Sequence, residues 1–183
     1  MAERRHSCSD TRPQPHPTES LPTPSSDFKA PTEVHEWHRD GFIVTTDRSL
    51  ISLSSLSAAF SSKAMYWTNA YPDPVMRVII DNSCCFSLLS TDGQIGFARG
   101  VTDYVTFFYL TDVYMDEKWR HQGLGSWMID CVQEFVEKMP YLRRSLLLTS
   151  KGSSEPFYEK TMKMGPLPEP LRAMTWKGPG GHV

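Results

Sequence analysis

Cysteine is scarce in this chain of 183 residues: there are four, Cys8, Cys84, Cys85 and Cys131. No Cys-x-x-Cys occurs, and the adjacent pair Cys84 and Cys85 would point to opposite faces of a strand. Neither a disulfide framework nor a thiolate zinc site is expected, and a reducing, cytoplasmic setting fits. The six histidines form no His-Glu-x-x-His, and His35 and His38 flank Trp37 in a polar segment with no further ligand nearby, so no metal is expected. A net charge of −2 leaves no global basic footprint, which argues against a nucleic acid partner. No apolar run approaches the roughly 20 residues of a membrane span. No apolar segment follows Met1, and Glu3 and Asp10 sit in the Arg-containing start, so neither a membrane partner nor a targeting segment is expected.

What the chain does have is a glycine-containing loop, Arg120-His121-Gln122-Gly123-Leu124-Gly125-Ser126, between a strand-like run, 106–115, and a helix-like run, 123–139. The first N–H groups of a helix have no partner inside it, and the helix dipole favours negative charge there. Gly123 and Gly125 let the backbone approach a ligand without a Cβ in the way, and Arg120 adds positive charge at the lip. Such a loop suits a phosphate or pyrophosphate. It is not a Walker loop, because no Lys-Ser or Lys-Thr follows the glycines. It is not a dinucleotide fingerprint either, because Met128 stands where a third small residue is needed.

Residues 1–33 read as a disordered tail: six of the 14 prolines fall there among Ser, Thr and charged residues, with too little apolar surface to offset the entropy of ordering. One folded domain is expected over 34–177, and 178–183 should fray. Within it, 34–40 read as a polar lead-in and Phe42–Thr46 as a first strand. Asp47 can cap a helix carrying Leu50, Leu53, Leu56 and Phe60. A second helix opens at Asp73-Pro74. Strands 84–89 and 94–101 flank Asp92-Gly93, a hairpin signal. The run 106–115 reads as a central strand. In the helix after the loop, Leu124, Trp127, Met128, Cys131, Val132, Phe135, Val136 and Met139 form one apolar face, and Pro140 ends it. Strand 145–149 should pair in parallel across that helix. A helix over 154–162 and a last strand over 172–176 complete the chain.

Arg-x-x-Gly-x-Gly between a strand and an amphipathic helix resembles the acetyl-CoA loop of the GNAT N-acetyltransferase superfamily. The element order matches over about residues 41–176, and the runs Ile95–Arg99, Phe108–Met115 and Phe157-Tyr158-Glu159-Lys160 are similar to that family's third and fourth strands and late tyrosine helix. The resemblance implies an α/β fold with a central mixed sheet flanked by helices. It implies acetyl-CoA as cofactor and acetyl transfer to a primary amine by direct attack in a ternary complex. A small-molecule acceptor and a monomer or homodimer are expected.

In that scheme the backbone of Arg120, His121, Gln122, Gly123, Leu124, Gly125 and Ser126 holds the pyrophosphate. The backbone of Val113, Tyr114 and Met115 receives the pantetheine arm where two strands splay. Tyr158 protonates the departing thiolate. Two roles suit Asp112: orienting or deprotonating the amine, or bonding to backbone where the strand bulges. Tyr66, Trp67, Tyr104 and Tyr109 either line an acceptor pocket or pack. Cys131 falls on the apolar helix face, which disfavours a ping-pong cysteine mechanism. After Lys160 the chain departs from the family pattern: its glycine, Gly165, comes late. A non-catalytic acyl-CoA-binding sensor on the same fold is therefore the alternative.

Overall fold

The computed structural model describes residues 32–150 and 152–177; the expectations for the tail up to residue 31, Cys8 included, and for 178–183 lie outside the described residues. Six strands form one sheet in the order β1-β2-β3-β4-β5-β6. They are β1 (Glu36–Arg39), β2 (Phe42–Thr45), β3 (Cys84–Ser90), β4 (Gly93–Thr102), β5 (Phe107–Met115) and β6 (Arg144–Leu147). Neighbours are antiparallel except β5 and β6, which run parallel, as a strand–helix–strand crossover requires.

Strand alternation sorts the core onto two faces. On one, Phe86, Leu88, Ala98, Phe108 and Leu110 pack under α3 (Leu124–Glu137). On the other, Cys85 and Phe97 meet α1 (Leu53–Phe60) and α2 (Asp73–Asp81). The fully buried side chains of α3 include Met128, Ile129 and Val132. At about 1.5–3 kcal/mol for each such apolar side chain, they fix the helix, and with it the loop at its start, to the sheet. The last helix, α4 (Glu155–Met162), adds Met162 to that core.

Three expectations are corrected. The polar lead-in is a strand: Asp40 and Gly41, at φ 50° and 83°, make a tight turn that folds β1 back on β2. Trp37 anchors it, its Nε1 donating to Glu134 Oε2 at 2.9 Å. Asp47 caps only a 3₁₀ turn over Arg48–Leu50, leaving Leu50 exposed, and α1 starts later with Ser52 as its cap. The expected last strand over Arg172–Trp176 does not form. Residues 172–176 bury no side chain against the sheet, with Met174 and Trp176 exposed, so nothing offsets the cost of ordering them as a strand.

Candidate active site

Between β5 and α3 the chain makes one 3₁₀ turn, Glu117–Trp119, capped by Asp116. His121 and Gly123 then take left-handed backbone, at φ 63° and 75°. Gly123 is the N-cap of α3 and has no side chain to accept a hydrogen bond. The N–H groups of Leu124, Gly125 and Ser126 find no acceptor among the described residues. The space where a Gly125 side chain would stand is open, with nothing within 4 Å. Leu124 is buried and reaches the loop surface only through its backbone. Gln122 is committed locally, its Nε2 donating to the Lys118 carbonyl at 3.2 Å; His121 is exposed. Arg120 is tied back as well: its Nε donates to the Met115 carbonyl at 3.0 Å, and Nη1 lies 3.7 Å from Glu117. It clasps the loop to the end of β5.

That end of β5 is half unpaired. On the β6 side, pairing stops at Leu110 opposite Leu147. On the β4 side it continues to Met115 opposite Gly96. Residues from Thr111 to Met115, including Val113, Tyr114 and Met115, therefore present one free strand edge among the described residues, and it leads into the glycine loop.

A bulge interrupts β4–β5 at this point, where Asp112 has φ 50°. The bulge turns Asp112 to the face of α1 and α2, where Arg99 Nε donates to its Oδ2 at 2.7 Å and Nη2 lies 2.7 Å from the same oxygen. Arg99 Nη1 donates to Ser83 Oγ at 3.1 Å. Asp112 is 7% exposed, so this is a buried ion pair. Its carboxylate is engaged by the Arg99 guanidinium, a side-chain partner in place of the backbone bond expected at the bulge.

Tyr158 sits on the other face, half-buried on α4 against Phe157 at 5.0 Å. Its hydroxyl has no protein partner among the described residues, and burial pushes its pKa above the usual phenol value. Tyr158 lines a groove of about 510 Å³ together with Leu146–Thr149 and the segment from Met164 to Ala173 that follows α4. The structure does not bring Tyr158 and Asp112 together.

Tyr66 and Trp67 pack edge to face at 5.1 Å, and the Tyr66 hydroxyl is 2.5 Å from Ser150 Oγ, beyond β6. They sit by the opening between β5 and β6. Tyr109 pairs with Leu146 just before that opening. Tyr104 lies elsewhere: it precedes β5, at the strand's far end from Met115, and lines a 170 Å³ cavity with Cys84, Cys85 and Arg48. Burial pushes the thiols of Cys84, Cys85 and Cys131 up to about 12, so none is an effective nucleophile near neutral pH. Sequence reasoning missed Arg99 and Ser150 as partners of Asp112 and Tyr66.

Comparison with known proteins supports the same reading. Residues 81–161 match the family described as "Acetyltransferase (GNAT) domain". A Gibberella zeae protein named a "putative acetyltransferase" is 32% identical over 137 residues, covering 65% of this chain and 77% of that protein. The crystal structure of a Xanthomonas campestris pv. campestris protein, a "putative acetyltransferase belonging to the gnat family", superposes with a TM-score of 0.65 at 29% identity, over 81% of this chain and 95% of that one. A GNAT family acetyltransferase of Streptococcus pneumoniae shares the fold, with a TM-score of 0.59 at 17% identity over 75% of this chain and 98% of that one. With that relative and that family match, the chain belongs to the GNAT family of acetyltransferases.

Proposed function

We propose that this protein moves an acetyl group from acetyl-CoA to a primary amine of a small molecule, by direct attack with both substrates bound. One observation carries the reading: the free edge of β5 beyond Leu110 runs into a loop whose first helical N–H groups are unpaired. The residues fit the cofactor, since the space beside Gly125 is open and the backbone donors there face no protein acceptor. Bound acetyl-CoA would supply an acyl group activated as a thioester.

The chain's own groups supply the rest. The N–H groups of Leu124, Gly125 and Ser126 bind pyrophosphate oxygens. The edge of β5 over Val113–Met115 orients the pantetheine arm, and a backbone N–H there stabilises negative charge developing on the carbonyl oxygen. The Met115 carbonyl already accepts from Arg120, which keeps edge and loop in register. Tyr158 holds a proton for the leaving thiolate: its phenol stays protonated at neutral pH, and its hydroxyl is uncommitted; the proton the amine sheds as the amide forms passes to solvent, from which the phenolate is re-protonated. Tyr66 and Trp67 border the approach for the amine, the first held by Ser150.

Acetyl-CoA at 100 times its Kd should stabilise the fold by about 2.7 kcal/mol, a rise in Tm of roughly 5–10 °C for a domain of this size. Thermal melts with and without the ligand check this, and an unmoved Tm removes the cofactor assignment.

Asp112 holds the bulge that shapes the free edge. Asp112→Ala strands the buried Arg99 charge and should cost about 3–5 kcal/mol of stability. Chemical denaturation measures it. A variant of unchanged stability that has lost only kcat would return Asp112 to the chemistry.

A further inference from the structure

We propose that Arg39 binds the cofactor, its guanidinium closing over the pyrophosphate at the start of α3. The inference rests on the acetyl-CoA reading above and assigns a residue from outside the loop. The β1–β2 hairpin is held against α3 and the preceding turn by Trp37 on Glu134 and by Phe42, which packs edge-on against Trp119 at 5.5 Å. That placement sets Arg39 over the Trp127 ring, 5.9 Å from its centroid. Arg39 Nη2 then lies 4.0 Å from the point a Gly123 Cβ would occupy.

A cation in this position is unfavourable in the empty protein. The N-terminal end of a helix carries partial positive charge, and cations are favoured at the other end. The ionic partner of Arg39 is Asp40, at 3.4 Å with its side chain 81% exposed, and an exposed pair of this kind contributes little. An anion placed between the guanidinium and the helix N–H groups removes the conflict from both sides. The loop's own Arg120 has its Nε committed to Met115, so β1 supplies a second guanidinium for the loop mouth. Arginine suits the task because its planar fork bonds two phosphate oxygens at once. A position beside Gly123 places it on the pyrophosphate, not on the 3′-phosphate of the adenosine.

Calorimetric titration of wild type and Arg39→Ala with CoA and with dephospho-CoA, which keeps the pyrophosphate and lacks the 3′-phosphate, tests the assignment. Both ligands should bind roughly tenfold more weakly to the variant, while the Tm of the unliganded protein changes little, the lost stacking on Trp127 offsetting the repulsion relieved at the helix start. Equal CoA affinity in the two proteins overturns the proposal. So does a loss confined to CoA, which moves Arg39 to the 3′-phosphate. A wild type that binds neither ligand removes the cofactor reading and Arg39 with it; a wild type that binds beside a variant that binds equally removes Arg39 alone.

Discussion

Gly125→Val should reduce CoA affinity by about 100-fold or more while leaving the fold intact. Gly125 is the second residue of α3, and nothing stands within 4 Å of a Cβ built on it. A Cβ here has open space before it, and the branched side chain it carries would stand where phosphate oxygens approach the Leu124–Ser126 N–H groups. Two charge-assisted hydrogen bonds lost at about 1.5 kcal/mol each account for roughly 3 kcal/mol, or a factor near 100. Valine is a somewhat better helix former than glycine, so the unliganded Tm should hold or rise slightly. Gly123→Val is a poorer probe. Gly123 has φ 75°, and a β-branched residue held there costs of order 1–3 kcal/mol in backbone strain, so its loss of binding would mix with loss of stability. Titration and melting of Gly125→Val decide the matter: unchanged affinity would make the loop a plain helix entry.

Tyr158→Phe should lower kcat by roughly 10²–10⁴-fold, the range for a positioned acid. The substitution removes one hydroxyl with no protein hydrogen bond to lose, and the ring keeps its contact with Phe157. Stability and cofactor affinity should hardly change. The pH profile carries a second signature. If Tyr158 is the acid, the active form is the protonated phenol, and burial raises its pKa above the usual phenol value. The wild-type rate should therefore hold through neutral and mildly alkaline pH and fall as pH passes through that raised value. The phenylalanine variant should lack this limb. A kcat within about threefold of wild type would hand the proton to water or another residue.

The parts of the site built from contiguous sequence were legible. Gly123 and Gly125, the apolar face of α3 and the run through β5 are local patterns, and local patterns report local structure. Asp92-Gly93 was readable as a hairpin because long apolar strands flank it. The same dipeptide at Asp40-Gly41 was not, because β1 is four residues long and only one, Trp37, is partly buried. Asp112 stood out as a carboxylate inside an apolar strand, which has a known cost. Its partner was not visible: Arg99 lies 13 residues away, and the bulge that turns Asp112 towards it shifts the register that alternation would assign. Tyr104 looked like a neighbour of Tyr66 and Tyr109 by composition alone, but its place before β5 puts it at the wrong end of the sheet. Arg39 reaches Gly123 only because a hairpin folds back over a helix start some eighty residues later in the chain.

Acetyl transfer to an amine makes one demand that a binding module on the same fold does not meet. Wild-type protein should be incubated with acetyl-CoA and a mixed panel of primary amines, with free thiol and N-acetylated amine quantified together. Transfer requires thiol release that depends on an added amine and matches the acetylated product one to one. Tight acetyl-CoA binding with no amine-dependent thiol release from any member of the panel would contradict catalysis and leave an acyl-CoA-binding protein.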